Sequence, residues 1–311
     1  MTELSSAVSN VHHTAERTAG PRHTTWVAVV VFGLVDLLWS AYEALSFFRL
    51  ERVLLAIVLM ISLSWLYGAS RRSLRLANMA HYAGLWIAFT ITGAVFTYLA
   101  ATFRLPLRDP ELAAVDGWLR FDWVAWFRFV GNSPILRVGL GLAYSSLFVQ
   151  ILVSIFYFCH VDKPDRNQEL WSTAAVSLLI TALLSALIPA AGAGVYFGAS
   201  DLPNLTYLPH FLALRDGTLT HIAVENMQGI VTFPSYHTVL AVLLTYAYRG
   251  QGHMLFAIAA LNVLMLLSIP VYGSHYLSDM LAGALIALLS IYLLKNLSGH
   301  HPASAATPSH R

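Results

Sequence analysis

The chain has 311 residues, of which 57% are hydrophobic and 11% charged, against roughly 25% charged in an ordinary soluble domain. A formal net charge of +2 without clustered basic patches excludes nucleic acid as a partner, and a single cysteine, Cys159, excludes an intramolecular disulfide. Such a composition predicts an all-α, polytopic integral membrane protein, because backbone groups inside a bilayer must be satisfied within the spanning segment.

Residues 1–24 are polar and rich in Ser, Thr and His. They lack the charged start, apolar middle and cleavage site of a secretory signal and read as a disordered cytoplasmic tail, with the first apolar helix as an uncleaved signal-anchor. A bilayer core about 30 Å thick takes about 20 mostly apolar residues in a helix. About eight segments meet that rule, at 25–44, 53–70, 79–101, 135–159, 169–189, 234–248, 253–272 and 275–294. Asp36 and Glu43 lie seven apart on the first and share a face, either lining a polar path or joining helices.

Between the third and fourth segments, Trp118, Trp123, Trp126, Phe127 and Phe129 alternate with Arg104, Arg108, Arg120, Asp122 and Arg128. That mixture predicts an amphipathic helix lying on the membrane over 103–133. Cys159 closes the fourth segment as a small apolar residue. The connection 190–233 is rich in Gly and Pro, carries Arg215 as its only basic residue besides histidine, and runs into Phe233-Pro234-Ser235-Tyr236-His237-Thr238. Loops of that length are functional or disordered, and this one reads as a cap over a site. Residues 298–311 form a disordered tail whose His300, His301 and His310 are solvated. The membrane-embedded domain is therefore 25–297, with a core at about 79–297.

Lys and Arg in the short loops set the orientation. Arg17 and Arg22 precede the first segment, Arg71, Arg72 and Arg75 follow the second, Lys163 and Arg166 the fourth, Arg249 the sixth and Lys295 the eighth. All fall on one side, which predicts the cytoplasm. His237 and His275 then face the non-cytoplasmic side of the cell membrane.

His275 and Asp279 are four apart in an otherwise apolar stretch, so on a helix the carboxylate reaches the imidazole. A carboxylate on one ring nitrogen fixes the tautomer and leaves the other free to attack. A protonated His237 donates to the oxygen of a departing alcohol, a step worth typically 10² to 10⁴ in rate. Arg215, Ser235 and Tyr236, with the N–H groups after Pro234, form the expected phosphate-binding set. Nucleophile, acid and anion cradle together predict cleavage or transfer of a lipid-linked phosphate through a phosphohistidine, with no cofactor. A metal centre needs three or four suitably spaced ligands, and no third ligand accompanies this pair.

Pro234-Ser235-Tyr236-His237 and Gly273-Ser274-His275-Tyr276-Leu277-Ser278-Asp279 resemble the second and third signature motifs of the type-2 phosphatidic acid phosphatase superfamily. Asp279-Met280-Leu281-Ala282-Gly283 and Ser268 match as well. The resemblance implies a six-helix core, His275 as nucleophile, Asp279 as its orienter and His237 as general acid. Two departures stand out. The lysine followed by Arg-Pro of the first motif is not found, and Ile269 stands where the family usually has arginine. With Tyr236 in place of glycine and the upstream Leu214-Arg215-Asp216-Gly217, the chain looks more like the branch containing inositolphosphotransferases and sphingolipid synthases. That likeness implies transfer of a headgroup such as phosphoinositol to a ceramide-like acceptor, with Arg215 as substitute phosphate ligand. Hydrolysis and transfer both remain open. A lipid or proton-coupled transporter is the rival of another class; such proteins commonly repeat inverted halves with broken helices, and no internal repeat is seen. Gly283, two turns past His275 and flanked by Ala282 and Ala284, predicts close helix packing around the site.

Overall fold

The computed structural model describes residues 24–70, 73–199 and 205–299. Most of both expected tails lies outside these residues, as do Arg17, Arg22, Arg71 and Arg72. Among the described residues, six helices are long and apolar enough to cross a membrane: α1 (Thr24–Tyr42), α2 (Glu51–Ala69), α3 (Leu74–Ala101), α8 (Pro164–Leu187), α12 (His253–Tyr272) and α13 (Leu277–Leu297). Each of the eight expected segments coincides with helix, but the described residues give six such spans, or seven if a bent pair counts as one, and do not confirm about eight.

The fourth segment is broken into α6 (Pro134–Ser145) and α7 (Leu147–His160), bent by 49°. At the break the Ser146 hydroxyl donates to the Ala143 carbonyl at 2.7 Å and accepts from Gln150 Nε2 at 2.9 Å. A serine side chain that competes for backbone groups in this way bends a helix. The sixth segment is α11 (Tyr236–Ala247), 12 residues and therefore about 18 Å long, short of a bilayer core.

The main core lies where α3, α7, α8, α11, α12 and α13 meet, around Leu85, Leu170, Leu243, Leu244 and Met265. Glycines allow the closest approaches. A Cβ on Gly84 would meet Met60 of α2 at 2.9 Å, and Gly93 lies against Leu178 of α8. Beyond that contact α2 buries none of its residues, and Leu55 and Trp65 are 69% and 72% exposed. Such a surface suits acyl chains and not water.

The expected interfacial helix is two short ones, α4 (Asp109–Trp118) and α5 (Trp123–Gly131). Both pack on the protein and not only on a membrane surface. Trp123 Nε1 donates to the Pro270 carbonyl at 3.0 Å, one of the orphan carbonyls of the last turn of α12. The cap carries α9 (Ala193–Tyr196), α10 (Tyr207–Asp216) and β2 (His221–Ala223). β2 pairs in parallel with β1 (Ser46–Phe48), in the register Ser46 to His221, Phe47 to Ile222 and Phe48 to Ala223. An Arg49–Glu225 ion pair continues that join. The bundle is thus almost wholly helical, with this one small pair of strands among the described residues.

Candidate functional site

The turn between α12 and α13 holds His275, and the start of α13 explains its geometry. Asp279 is the third residue of α13, and its Oδ2 accepts the N–H of Tyr276 at 2.8 Å, the acid half of a capping box. The same oxygen meets Nδ1 of His275 at 3.2 Å. One carboxylate therefore starts the helix and orients the imidazole. His275 is 3% exposed, and burial pushes its pKa down to about 4, while a hydrogen bond with the Thr232 backbone opposes that shift. The ring is neutral near pH 7.

His237 comes from the first turn of α11, whose N-cap is Ser235: the serine hydroxyl accepts from the Thr238 N–H at 3.4 Å. The Ser235 N–H donates to the Asp279 carbonyl at 3.1 Å, tying the start of α11 to α13. Gly283 makes the approach feasible, since a Cβ there would run into the Ser235 carbonyl and lie 3.1 Å from Thr238 Cβ. His237 and His275 line one cavity of about 850 Å³ and are close enough to interact electrostatically. Val138, Leu142 and Phe148 also line it and are 61%, 69% and 67% exposed, so the cavity opens sideways beside α6 and α7. A second groove of about 510 Å³ between α2, α3 and α7 shares Trp86, Thr90, Phe148 and Ile151 with it and is almost wholly apolar.

The expected phosphate ligands are placed differently. Tyr236 lines the cavity, but its hydroxyl donates to the Ala174 carbonyl at 2.8 Å. The Ser235 hydroxyl is engaged in its cap. Arg215, on α10, is not among the residues lining the cavity; its guanidinium donates to the Leu105 carbonyl and lies 5.4 Å from the centre of the Phe211 ring. Among the described residues no group of three His, Cys, Asp or Glu side chains is arranged to hold a metal ion.

Four residues at the site were not singled out from the sequence. Tyr144 of α6 stacks on the His237 ring, with centroids 4.3 Å apart and planes at 17°, and its hydroxyl lies 3.5 Å from Nδ1. Arg137, two turns earlier on the same helix, also lines the cavity. Asp116 of α4, 2% exposed, accepts the N–H groups of Leu277 and Ser278 at 2.7 and 2.8 Å. It thereby satisfies two orphan donors at the positive end of α13. Asp109, 4% exposed, accepts from the Ala191 and Gly192 N–H groups, both at 2.8 Å, and from the Tyr276 hydroxyl at 3.0 Å. Ser274, held at φ 57, completes the brace: its carbonyl accepts from Ala193 N–H at 2.8 Å and its hydroxyl from Gly194 N–H at 2.9 Å. The legible signal was spacing, because Asp109 and Asp116, like Arg137 and Tyr144, are seven apart and share a helical face.

Helix bundle, sideways-opening cavity and paired histidines define an integral membrane protein with a buried polar site at one end of its spans. The PAP2 superfamily model matches residues 110–293, more than half of the chain, and the chain belongs to that superfamily. Its members are phosphatases and phosphotransferases of lipid-like substrates. No curated protein and no solved structure matches the chain. The match opens inside α4, so α1, α2 and the cavity-lining α3 lie outside it.

Proposed function

We propose that the protein is a membrane enzyme that cleaves or transfers the phosphate of a lipid through a phosphohistidine at His275. The observation that carries this reading is the His275–Asp279 pair on the same cavity wall as His237. In the first step Nε2 of His275 bonds to phosphorus, the bond to the leaving alcohol oxygen breaks, and His237 gives that oxygen its proton. In the second step water or an acceptor alcohol attacks the phosphohistidine, His237 takes the attacking proton, and His275 is regenerated.

Asp279 holds the ring with Nδ1 towards itself, so Nε2 is the attacking atom. The sideways opening and the adjoining apolar groove fit a substrate that stays in the bilayer with its chains among α2, α3 and α7. Transfer of a phospho-headgroup, such as phosphoinositol to a ceramide-like lipid, uses the same intermediate and differs only in the second nucleophile. Service by Arg215 as a phosphate ligand requires its guanidinium to leave the Leu105 carbonyl.

Purified protein is given labelled phospholipids with and without inositol or ceramide. Free phosphate without acceptor marks hydrolysis; a labelled new phospholipid only with acceptor marks transfer. His275→Ala is expected to abolish turnover, and His237→Ala and Asp279→Asn to reduce it by 10² or more. Full activity in all three variants rejects the mechanism.

A further inference from the structure

An anionic headgroup that enters this cavity needs a cation, and the residues expected to supply one are occupied or elsewhere. Among the described residues lining the cavity, Arg137 is the single permanently charged side chain. Among the described residues no carboxylate pairs with it. Its own backbone is held in place, because the Tyr272 hydroxyl donates to the Arg137 carbonyl. It stands in the first turns of α6, where a positive charge opposes the helix dipole. Neither a carboxylate partner nor the helix dipole accounts for an arginine there.

Register gives it a target. Arg137, Gly141 and Tyr144 follow one face of α6, and Tyr144 stacks on His237. The backbone of Arg137 therefore lies about 10 Å along the axis from that of Tyr144, and its side chain is exposed where it lines the cavity. Gly141 keeps that face thin, since a Cβ there would press on the Tyr272 ring at 3.1 Å. A long, flexible side chain lining the same cavity as both histidines is free to swing towards a phosphate held there.

We propose that Arg137 is the phosphate-binding cation of this cavity, engaging the anionic oxygens of a lipid phosphate while His275 attacks and taking the place of a clamp from the cap. The proposal rests on the phosphoryl-transfer reading above. A guanidinium offers two parallel N–H donors to such an anion, and lysine only a point charge.

The test uses the full chain carrying His275→Ala, which binds without turnover, in dodecyl maltoside. Equilibrium dialysis compares radiolabelled dioctanoyl phosphatidic acid with dioctanoylglycerol, which shares its chains and lacks the phosphate. Adding Arg137→Gln is expected to weaken phosphatidic acid binding roughly 10- to 100-fold and leave dioctanoylglycerol unchanged, with Arg137→Lys between. Equal phosphatidic acid affinity with and without Arg137, equal losses for both lipids, or no preference for phosphatidic acid in the parent overturns the proposal. In otherwise unmodified enzyme, Arg137→Lys should raise KM more than it lowers kcat. Turnover retained by His275→Ala would instead strike the phosphohistidine and leave the assignment of Arg137 to the binding data.

Discussion

Replacing Gly283 by alanine sets two physical effects against each other. Intrinsic helix propensity favours alanine by about 1 kcal/mol in a helix interior. The new methyl, however, would lie against the Ser235 carbonyl oxygen, well inside van der Waals contact, and 3.1 Å from Thr238 Cβ. Backbone cannot swing aside as a side chain can, so α11 has to retreat from α13 by about 1 Å to restore normal separation. Overpacking of this kind costs about 1–3 kcal/mol, which outweighs the propensity gain. The same retreat strains the 3.1 Å Ser235 N–H to Asp279 carbonyl bond and draws His237 away from His275. Misplacement by about 1 Å lowers rates on the order of 10²-fold. Gly139→Ala is the control, because nothing lies within 4 Å of its Cβ position on α6. Thermal unfolding in detergent and phosphate release should show Gly283→Ala less stable and about 10²-fold slower, with Gly139→Ala as stable as the parent or more. A Gly283→Ala protein that matches the parent in both readouts refutes the close-approach argument.

Asp116→Asn keeps the shape but weakens the acceptor for the Leu277 and Ser278 N–H groups, so kcat should fall by about 10-fold with KM nearly unchanged, as steady-state kinetics would read. Tyr144→Phe retains the ring stacked on His237 and should lose less than about 3-fold in kcat, whereas Tyr144→Ala should lose considerably more; equal losses would mean that the hydroxyl, not the stack, matters. His275 lies between spans with its pKa at about 4, below the 6.5 of the unfolded chain, so acidification protonates the unfolded state first. Its contribution to stability is complete above about pH 6.5 and is lost from there towards pH 4, about 3 kcal/mol in all. Unfolding midpoints in that window should fall less steeply for His275→Asn than for the parent. Single cysteines replacing Trp118 and Asp165, both exposed and at opposite ends of the bundle, should label in intact cells at position 118 and only after permeabilisation at position 165; the reverse pattern rejects the expected orientation.

Helices and the His275–Asp279 pair were legible because both follow from local rules: apolar length in one case, the i to i+4 spacing in the other. Gly283 was legible in kind, since small residues two turns past a site foretell close packing. The break at Ser146 was not, because a serine bends a helix only where its hydroxyl finds a carbonyl, here that of Ala143. Nor was the shortness of α11, which runs only from its Ser235 cap to Tyr248. Residues 103–133 read as a membrane-surface helix, yet Asp109 and Asp116 turn inward to bond backbone groups at 191–192 and 277–278, partners some 80 and 160 residues away. Arg215 on the cap was the expected phosphate ligand, while Arg137, which lines the cavity, was not singled out. Neither assignment follows from spacing to the histidines, because α6 and α10 reach the cavity by tertiary packing alone.

The three-residue pairing of β1 with β2 joins points 175 residues apart, Ser46 and His221, one before α2 and the other in the cap. Because β1 lies outside the family-matched stretch, the cap is fastened to a segment that the matched region does not contain. Opening that cap means unzipping the ladder and parting Arg49 from Glu225. A chain shortened to the matched stretch would keep His237, His275 and Asp279 but lose β1 and Arg49, and with them the ladder and the ion pair that fasten this edge of the cap.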